Sequence, residues 1–446
     1  MFQNSLSKYG SILLHLLKWT LIALPIAAFV GSVVALFLGL LERATQYRFA
    51  HEWLLYCLPL SGVLIWVLYK WAGKNAEAGN NLILDEIHEP GGGVPIRMAP
   101  LVLITTIITH LFGGSAGREG TAVQIGGSLS GMIGKWFRLD KDETKIVLMC
   151  GVAAGFGAVF GTPLTGAVFA LEVVYIGKMN YKALLPCLMA AVLADIVCSM
   201  WGIHHTQYHI AFKDTYSSLF SFIHFDVLLM LKVIGAGVFF GFVSLLFSEF
   251  THSVKNVSSR FIKLPWLIPV VGGCIIILLT FILGSKDYLG LGVSNPDPNA
   301  VTILNCFNAG GAHTWSWLWK LIFTGITLGM GFKGGEVTPL FFIGAALGNT
   351  LGVISGAPVD LMAGLGFIAV FAGATNTPIA CTLMGIELFG GEYALYYAIA
   401  CFTAYYFSGH TGIYSSQRLA VRKDQSNSIL QTLKEIRMKR MNDDMK

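Results

Sequence analysis

The stretch GREGT at Gly117–Thr121 is repeated as GGEVT at Gly334–Thr338, at an offset of 217 residues (334 − 117). Both copies carry glutamate at the third position and threonine at the fifth. Each copy opens an apolar run, at 121–132 in the first half of the chain and 337–354 in the second. The repetition predicts two related structural units, each with a helix that begins at a glycine-rich loop.

A second block supports the repeat. GTP at Gly161–Pro163 and the later Glu172 correspond to NTP at Asn376–Pro378 and Glu387, with nine residues from proline to glutamate in both (172 − 163; 387 − 378). Two blocks in the same order argue against a chance match of glycine-rich sequence. The residues leave open the number of spans in each unit, and we expect the second unit to be inverted relative to the first. The expected repeat halves cover approximately residues 75–205 and 225–420.

Composition indicates a chain dissolved in lipid. Of 446 residues, 54% are hydrophobic and 12% are charged, about half the charge of an ordinary soluble domain. Uncharged runs at 19–41, 264–284 and 393–417 are each long enough to cross a bilayer as a helix. We therefore predict an all-α, polytopic membrane protein whose transmembrane domain covers residues 1–420. The first apolar run is too long for a secretory signal and is expected to be a retained helix.

Glycine, proline and threonine interrupt two further uncharged runs, at 146–171 and 361–386. Such punctuation predicts short or broken helices around an internal site. Residues 421–446 are expected to form a short cytoplasmic tail without a regulatory domain, because positive charge follows the last apolar run. A topology signal explains this charge, so no nucleic-acid partner is expected. The eight cysteines are scattered singly and predict free thiols. The basic residues at this end are Arg418, Arg422, Lys423, Lys434, Arg437, Lys439 and Arg440.

The two glycine-rich loops predict an anion site. The first N–H groups of a helix lack partners and lie at the positive end of the helix dipole, so two such ends aimed at one point attract an anion. Gly120 allows the backbone to approach the ion closely. Thr121 and Thr338 are candidate hydroxyl donors, although capping of the helix start is the commoner role of threonine there.

Glu119 and Glu336 lie at these same helix starts, where a carboxylate would repel the anion that the site attracts. Protonation removes the repulsion, because burial and a neighbouring anion both favour the neutral acid. Each protonation event is then tied to occupancy by the ion, which predicts proton-coupled exchange. The alternative for Glu119 is a capping acid stabilised by the helix dipole and paired with Arg118.

These motifs resemble the CLC family of chloride channels and proton-coupled anion antiporters. GREGT at Gly117–Thr121 is similar to the GREGP signature of the family, and GGGVP at Gly91–Pro95 to its GSGIP loop. EVTP at Glu336–Pro339 is similar to the GxFxP loop, and Gly412–Ser415 contains a late tyrosine, Tyr414. The resemblance implies the CLC fold, a homodimer and one anion pathway in each subunit.

The same resemblance implies roles for single residues. Glu119 would be the gating glutamate that moves between the anion path and the proton path, and Tyr414 would lie near the inner end of the ion path. The remaining candidate anion-binding residues are Gly92, Gly93, Gly120, Thr121, Val337 and Thr338.

Three departures from the chloride pattern decide the expected cargo. Gly92 stands where chloride transporters have a coordinating serine, and Val173 follows Glu172 where chloride antiporters have a second acid. Glu336 and Thr338 stand where chloride proteins carry apolar residues, as in the fluoride-exporting branch of the family. Fluoride is small and strongly hydrated, so it needs close N–H or O–H donors on leaving water. Thr338 and a protonated Glu336 are such donors.

We therefore expect a bacterial-type plasma-membrane transporter that exports fluoride in exchange for protons, with no metal or cofactor. A chloride channel or chloride/proton antiporter of the same fold is the alternative. A membrane enzyme with Glu119 and Glu336 as acid and base is a different class, but the sequence carries no nucleophile, metal set or cofactor motif for it. A structural scaffold would leave the repeated acids without a role.

Overall fold

The computed structural model describes residues 2–213, 226–423 and 431–443. Long apolar runs make this part of the chain mostly helical. Helices of the first half are α1 (Phe2–Ala50), α2 (Leu58–Leu68), α3 (Asn80–His88), α4 (Met98–Leu111), α5 (Glu119–Trp136), α6 (Lys141–Phe160), α7 (Pro163–Glu172) and α8 (Leu184–Met200). Those of the second half are α9 (Val227–Phe261), α10 (Leu267–Leu283), α11 (Ser316–Gly329), α12 (Val337–Ser355), α13 (Val359–Thr375), α14 (Pro378–Phe389) and α15 (Ala394–Phe407).

After α15 the chain forms a small sheet and a terminal helix. The strands are β1 (Tyr175–Ile176), β2 (Arg418–Leu419) and β3 (Gln431–Thr432), followed by α16 (Leu433–Asp443). Strand β2 pairs parallel with β1 and antiparallel with β3. The described part of the tail is thus attached to the end of the segment that follows α7.

Six helical segments are long and apolar enough to cross a membrane, among them 12–50, 227–261 and 337–355. Several shorter apolar helices, such as α7 and α14, are too short to span it alone. The prediction of an all-α polytopic protein with broken helices is confirmed. The eight cysteines are free thiols, as the sequence predicts.

The order of helices repeats between the halves. Helix α1 packs on α8 as α9 packs on α15, and α5 packs on α6 as α12 packs on α13. Both of the latter crossings depend on glycine: a Cβ added at Gly126 would lie 2.0 Å from the carbonyl oxygen of Gly151, and one at Gly344 would lie 2.0 Å from that of Gly366. Small residues let membrane helices approach closely. The boundaries of the two units at approximately 75–205 and 225–420 stay a prediction.

Two exchanges of hydrogen bonds relate the units as partners across a two-fold axis. Glu172, the last residue of α7, accepts the N–H groups of Ile379 and Ala380 at the start of α14 (3.1 and 2.8 Å). Glu387, near the end of α14, accepts the N–H groups of Leu164 and Thr165 at the start of α7 (2.9 and 2.8 Å). The two helices therefore lie antiparallel, and each carries an acid that caps the other.

The long helices α1 and α9 run in opposite directions. Early in α1, Lys18 pairs with Glu143 at the start of α6. The ion pair between Arg418 and Glu89 lies at the same end of the molecule. Late in α9, Glu249 pairs with Arg437 of the tail (3.0 Å). The start of α1 and the end of α9 thus share the tail side, which is the inverted arrangement of a two-unit transporter.

Candidate functional site

The two glycine-rich loops meet at the centre of the molecule. The N–H of Gly117 donates to the carbonyl of Gly335 (2.6 Å), and the N–H of Gly335 donates to that of Gly117 (2.8 Å). This isolated antiparallel bridge joins the repeated stretches found in the sequence. It brings the starts of α5 and α12 to one place.

Glycine is required where these loops cross. A Cβ added at Gly335 would lie 2.7 Å from the backbone nitrogen of Gly120, a separation that real Cβ atoms essentially never show. A Cβ added at Gly120 would lie 3.1 Å from the Cα of Gly335. Gly120 therefore serves close approach between the two halves of the protein, whereas its predicted approach to an ion stays a prediction.

Glu119 is the buried acid of this site, with 1% of its surface exposed. Its carboxylate accepts the N–H of Thr338 (3.0 Å) and the hydroxyl of Thr338 (2.5 Å to Oε1 and 2.6 Å to Oε2). The N–H of Arg118 also donates to it (3.1 Å), and the Nε of Arg118 lies 3.6 Å away. One side chain from the first unit is thus held by the helix start of the second.

The Glu119 carboxylate stands in for an anion at the N-terminus of α12. It receives a free backbone N–H, a hydroxyl and the positive end of the helix dipole, which are the groups that bind small anions. A free anion at this helix start would compete with the carboxylate for the donors of Thr338. The arrangement can therefore exchange one negative group for the other.

Glu336, Val337 and Tyr414 surround the same helix start. Glu336 is the N-cap of α12 and is partly buried, and Val337 is 1% exposed. Tyr414 is 4% exposed and lies near enough to Glu336 and Glu119 to interact electrostatically with both. Its segment is anchored by the N–H of Ile413, which donates to the carbonyl of Ala374 (2.9 Å). The structure thus brings Tyr414 to the two acids.

Three other predicted residues have different surroundings. Thr121 is fully buried, and its hydroxyl shares a hydrogen bond with Thr106 of α4 (2.7 Å) rather than with Glu119. The Gly91–Pro95 loop lies beyond the end of α3, where Gly92 is exposed. Its neighbours are charged groups from outside the site: a Cβ on Gly92 would lie 3.4 Å from Glu86, and one on Gly93 would lie 3.1 Å from Lys135. The structure does not bring Gly92 and Gly93 to Glu119.

Asn80, which the sequence analysis missed, occupies the place expected for that loop. It begins α3, and its amide nitrogen lies 3.2 Å from the position of a Cβ added at Gly120. Its side-chain oxygen is buried without a hydrogen-bond partner in the described part of the chain. The preceding Gly79 has φ +58°, which favours glycine and sets the start of α3. A glycine followed by asparagine at a helix start was the available signal.

Glu172, the single acid where chloride antiporters have two, is fully engaged as the cap of α14. Its neighbour Val173 is buried at 3% exposure among apolar side chains. Phe341 stacks on Phe367 with ring centroids 3.9 Å apart, so it belongs to the aromatic core. Neither Val173 nor Phe341 adds a titratable group to the site.

Two helix starts from related units, joined around a buried carboxylate in an apolar helical chain, define a membrane protein that handles anions. The family can be stated as well. Residues 61–409 match the family described as "Voltage gated chloride channel", and the chain belongs to this CLC family. The resemblance noted from the sequence is confirmed.

Relatives and solved structures agree with this assignment. The chain is 46% identical over 418 residues to a "Chloride/fluoride channel protein" of Pseudomonas syringae pv. tomato, covering 92% of this chain and 89% of that one. It is similar to the crystal structure of a CLC-type fluoride/proton antiporter, with a TM-score of 0.83 and 34% identity over 91% of this chain and 98% of that one. A slow cyanobacterial Cl⁻/H⁺ antiporter shares the fold, with a TM-score of 0.70 and 20% identity over 88% of this chain and 94% of that one.

Proposed function

We propose that this protein exports fluoride in exchange for protons. The observation that carries the proposal is the pair of donors on Thr338, whose N–H and hydroxyl both bind the Glu119 carboxylate. Fluoride accepts hydrogen bonds strongly and is compact enough to replace one carboxylate oxygen at these donors. The likeness to a fluoride/proton antiporter supports the same cargo.

Proton coupling follows from the competition at Thr338. When Glu119 is protonated it carries no charge, so a fluoride ion can take the donors without repulsion. When fluoride leaves, the acid releases its proton and returns to Thr338. One negative charge then occupies the start of α12 throughout the cycle, which links the movement of the ion to that of the proton.

Glu336 is the proposed proton acceptor on the tail side. It precedes Thr338 by two residues, is partly buried, and lies within electrostatic reach of Tyr414 and of Lys255. With Val173 in the place of a second inner acid, Glu336 is the acid available next to the anion donors. Anion and proton then meet at neighbouring residues of one helix start.

The test is uphill transport in liposomes that contain the purified protein. With the membrane potential held at zero, an acidic outside solution drives fluoride out against an equal or higher outside concentration if exchange is obligatory. A fluoride electrode and a pH electrode record both movements, and chloride is tested in parallel. Fluoride that only equilibrates would indicate a channel, and chloride leaving faster than fluoride would refute the cargo.

Assembly and orientation complete the proposal. As the resemblance implies, we propose a homodimer in a bacterial-type plasma membrane with the tail in the cytoplasm. Helices α7, α8, α14 and α15 pack together and present apolar residues outward, such as Ile196 (49% exposed) and Leu395 (49%). A second copy would cover this face. Light scattering of the purified protein should give a protein mass of 96.8 kDa (2 × 48.4), whereas 48.4 kDa would contradict the dimer.

A further inference from the structure

A cavity of about 80 Å³ lies at the far end of α1 from the tail. Thr45 and Arg48 of α1 line one wall, Arg118 lines another, and residues 286–295 close it. Lys18 is on the tail side, and Arg48 follows it by 30 residues (48 − 18), or about 45 Å of helix. The cavity therefore opens toward the opposite face of the membrane.

Two residues that line this cavity carry a buried donor with no hydrogen-bond partner and no ion pair in the described part of the chain. They are Thr45, through its hydroxyl, and Arg48, through its Nε. The Nε of Arg118, a third lining residue, also lacks a hydrogen bond but lies 3.6 Å from the Glu119 carboxylate and pairs with it. Arg48 itself is 8% exposed. Buried donors in native proteins almost always have partners, so two such donors beside one small cavity indicate a ligand that accepts hydrogen bonds.

The charges around the cavity favour an anion. Its cationic residues are Arg48, Arg118 and Lys286, and its acids are Glu42 and Asp287. Both acids already accept hydrogen bonds, Glu42 from Gln46 (2.7 Å) and Asp287 from the N–H of Val301 (3.2 Å). Lys286 pairs with the exposed Glu52 (2.6 Å) and Arg118 with Glu119 (3.6 Å), which leaves Arg48 as the lining cation without an ion pair in the described part of the chain. No described carboxylate forms an ion pair with Arg48, and a buried cation without a counter-charge is destabilising.

Lys320 lies behind the wall of the cavity. It is 0% exposed and donates to the carbonyls of Tyr288 (3.2 Å) and Gly290 (2.7 Å). These carbonyls belong to the segment that leads into the lining residues Leu291 and Gly292. Lys320 therefore holds this part of the wall in place.

We propose that this cavity is a binding site for one small monovalent anion, a halide, held by Thr45, Arg48 and Arg118. Arg118 joins it to the central site, because its backbone N–H binds Glu119 while its side chain faces the cavity. An ion released from Thr338 would be received there before it enters the outer solution. The identification of the ion as fluoride rests on the proposed function. The site itself rests on the donors and charges around the cavity.

The size of the cavity supports a halide. A volume of about 80 Å³ holds roughly five water molecules at about 15 Å³ each, or one partly hydrated halide. Most of the lining residues are polar or charged, which suits an ion better than an apolar ligand.

Equilibrium dialysis of the purified full-length protein against fluoride or radiolabelled chloride tests the site. Arg48→Gln should bind one ion fewer per chain than the unaltered protein, and Arg48→Lys should keep that ion with about tenfold weaker affinity, because the charge remains. Arg43→Gln is the matched control, since Arg43 is exposed on the same helix and does not line the cavity. Thr45→Ala removes one donor and should weaken binding about fivefold.

The outcomes separate this site from the proposed function. Equal ion counts and affinities for the unaltered protein, Arg48→Gln and Thr45→Ala would overturn the site while fluoride export stands. If binding of one ion depends on Arg48 but the protein transports no fluoride, the site stands and the proposed cargo is refuted. Gel filtration and the unfolding midpoint identify a misfolded Arg48→Gln, in which case Thr45→Ala decides the matter.

Discussion

Thr338 binds the Glu119 carboxylate through two different donors, and a substitution can remove one of them alone. Thr338→Ala keeps the N–H and deletes the hydroxyl, so a bound carboxylate or fluoride loses a charge-assisted hydrogen bond worth about 1.5–3 kcal/mol. We expect fluoride efflux from liposomes to fall roughly 10- to 100-fold, as measured with a fluoride electrode. Thr338→Ser keeps a hydroxyl and should retain most of the activity. Efflux from Thr338→Ala at the rate of the unaltered protein would refute this role.

Glu119 is expected to carry the proton, and Glu119→Gln tests that role with little change of shape. The amide still accepts a hydrogen bond from Thr338, but it can neither ionise nor exchange a proton in the range of the assay. Proton uptake that accompanies fluoride efflux should disappear, and efflux should stop responding to a pH gradient. Glu392→Gln, at an exposed acid, is the control. Proton uptake that persists in Glu119→Gln would exclude Glu119 as the coupling residue.

The sequence identified site residues that belong to the repeated stretches, but it did not identify Asn80, which lies outside them. Glu119 and Thr338 were found because each belongs to a repeated stretch, and the structure joins them directly. Asn80 has no counterpart in the second half and lies outside any repeated block, so only the packing of α3 against Gly120 reveals it. The glycine triplet at Gly91–Gly93 matched a family motif by composition. The helix start that lies at the site is instead that of α3, which begins at Asn80.

At the scale of the elements, helices α7 and α14 cap each other through one acid each. We expect the losses of stability caused by removing the two acids to add. Glu387→Ala leaves the N–H groups at the start of α7 without their acceptor, and Glu172→Ala does the same at α14. Loss of a helix cap costs about 1–2 kcal/mol, so each variant should unfold at a lower temperature. Because α7 has ten residues, the two caps lie about 15 Å apart and the double variant should show the sum of both effects.

Thermal unfolding in detergent, followed by tryptophan fluorescence, measures these effects. Glu392→Ala, at an exposed acid outside both caps, should leave the midpoint unchanged. A midpoint for the double variant close to that of either single variant would mean that the caps act as one unit, contrary to the separation of the two ends.

The elements themselves were predictable to different degrees. The long apolar helices follow from hydropathy, because a run such as 19–41 has no other stable form in lipid. The short helices α7 and α14 were expected only as broken segments, since their ends depend on acids far away along the chain, 223 residues for Leu164 and Glu387 and 207 for Ile379 and Glu172. Contacts of that kind are set by the tertiary fold, and no local pattern specifies them.

At the scale of the whole molecule, α1 and α9 run in opposite directions, so the two halves of the protein present their corresponding ends to opposite sides of the membrane. The repeat was visible in the sequence, whereas its inversion was not, because the span count was open. Contacts of the described tail with Glu89 and Glu249 fix which helix ends share one side. That side is the proposed cytoplasmic face, and the cavity at Arg48 then faces outward.

This orientation predicts which introduced thiols are reachable from outside intact cells. Ser259 lies near the end of α9 on the tail side, and Asn299 lies in the exposed segment that follows α10 on the other side. In a background with the exposed Cys274 replaced by alanine, a membrane-impermeant maleimide should label Asn299→Cys in intact cells. Ser259→Cys should react only after the membrane is opened. The reverse pattern would place the tail outside and would contradict the proposed orientation.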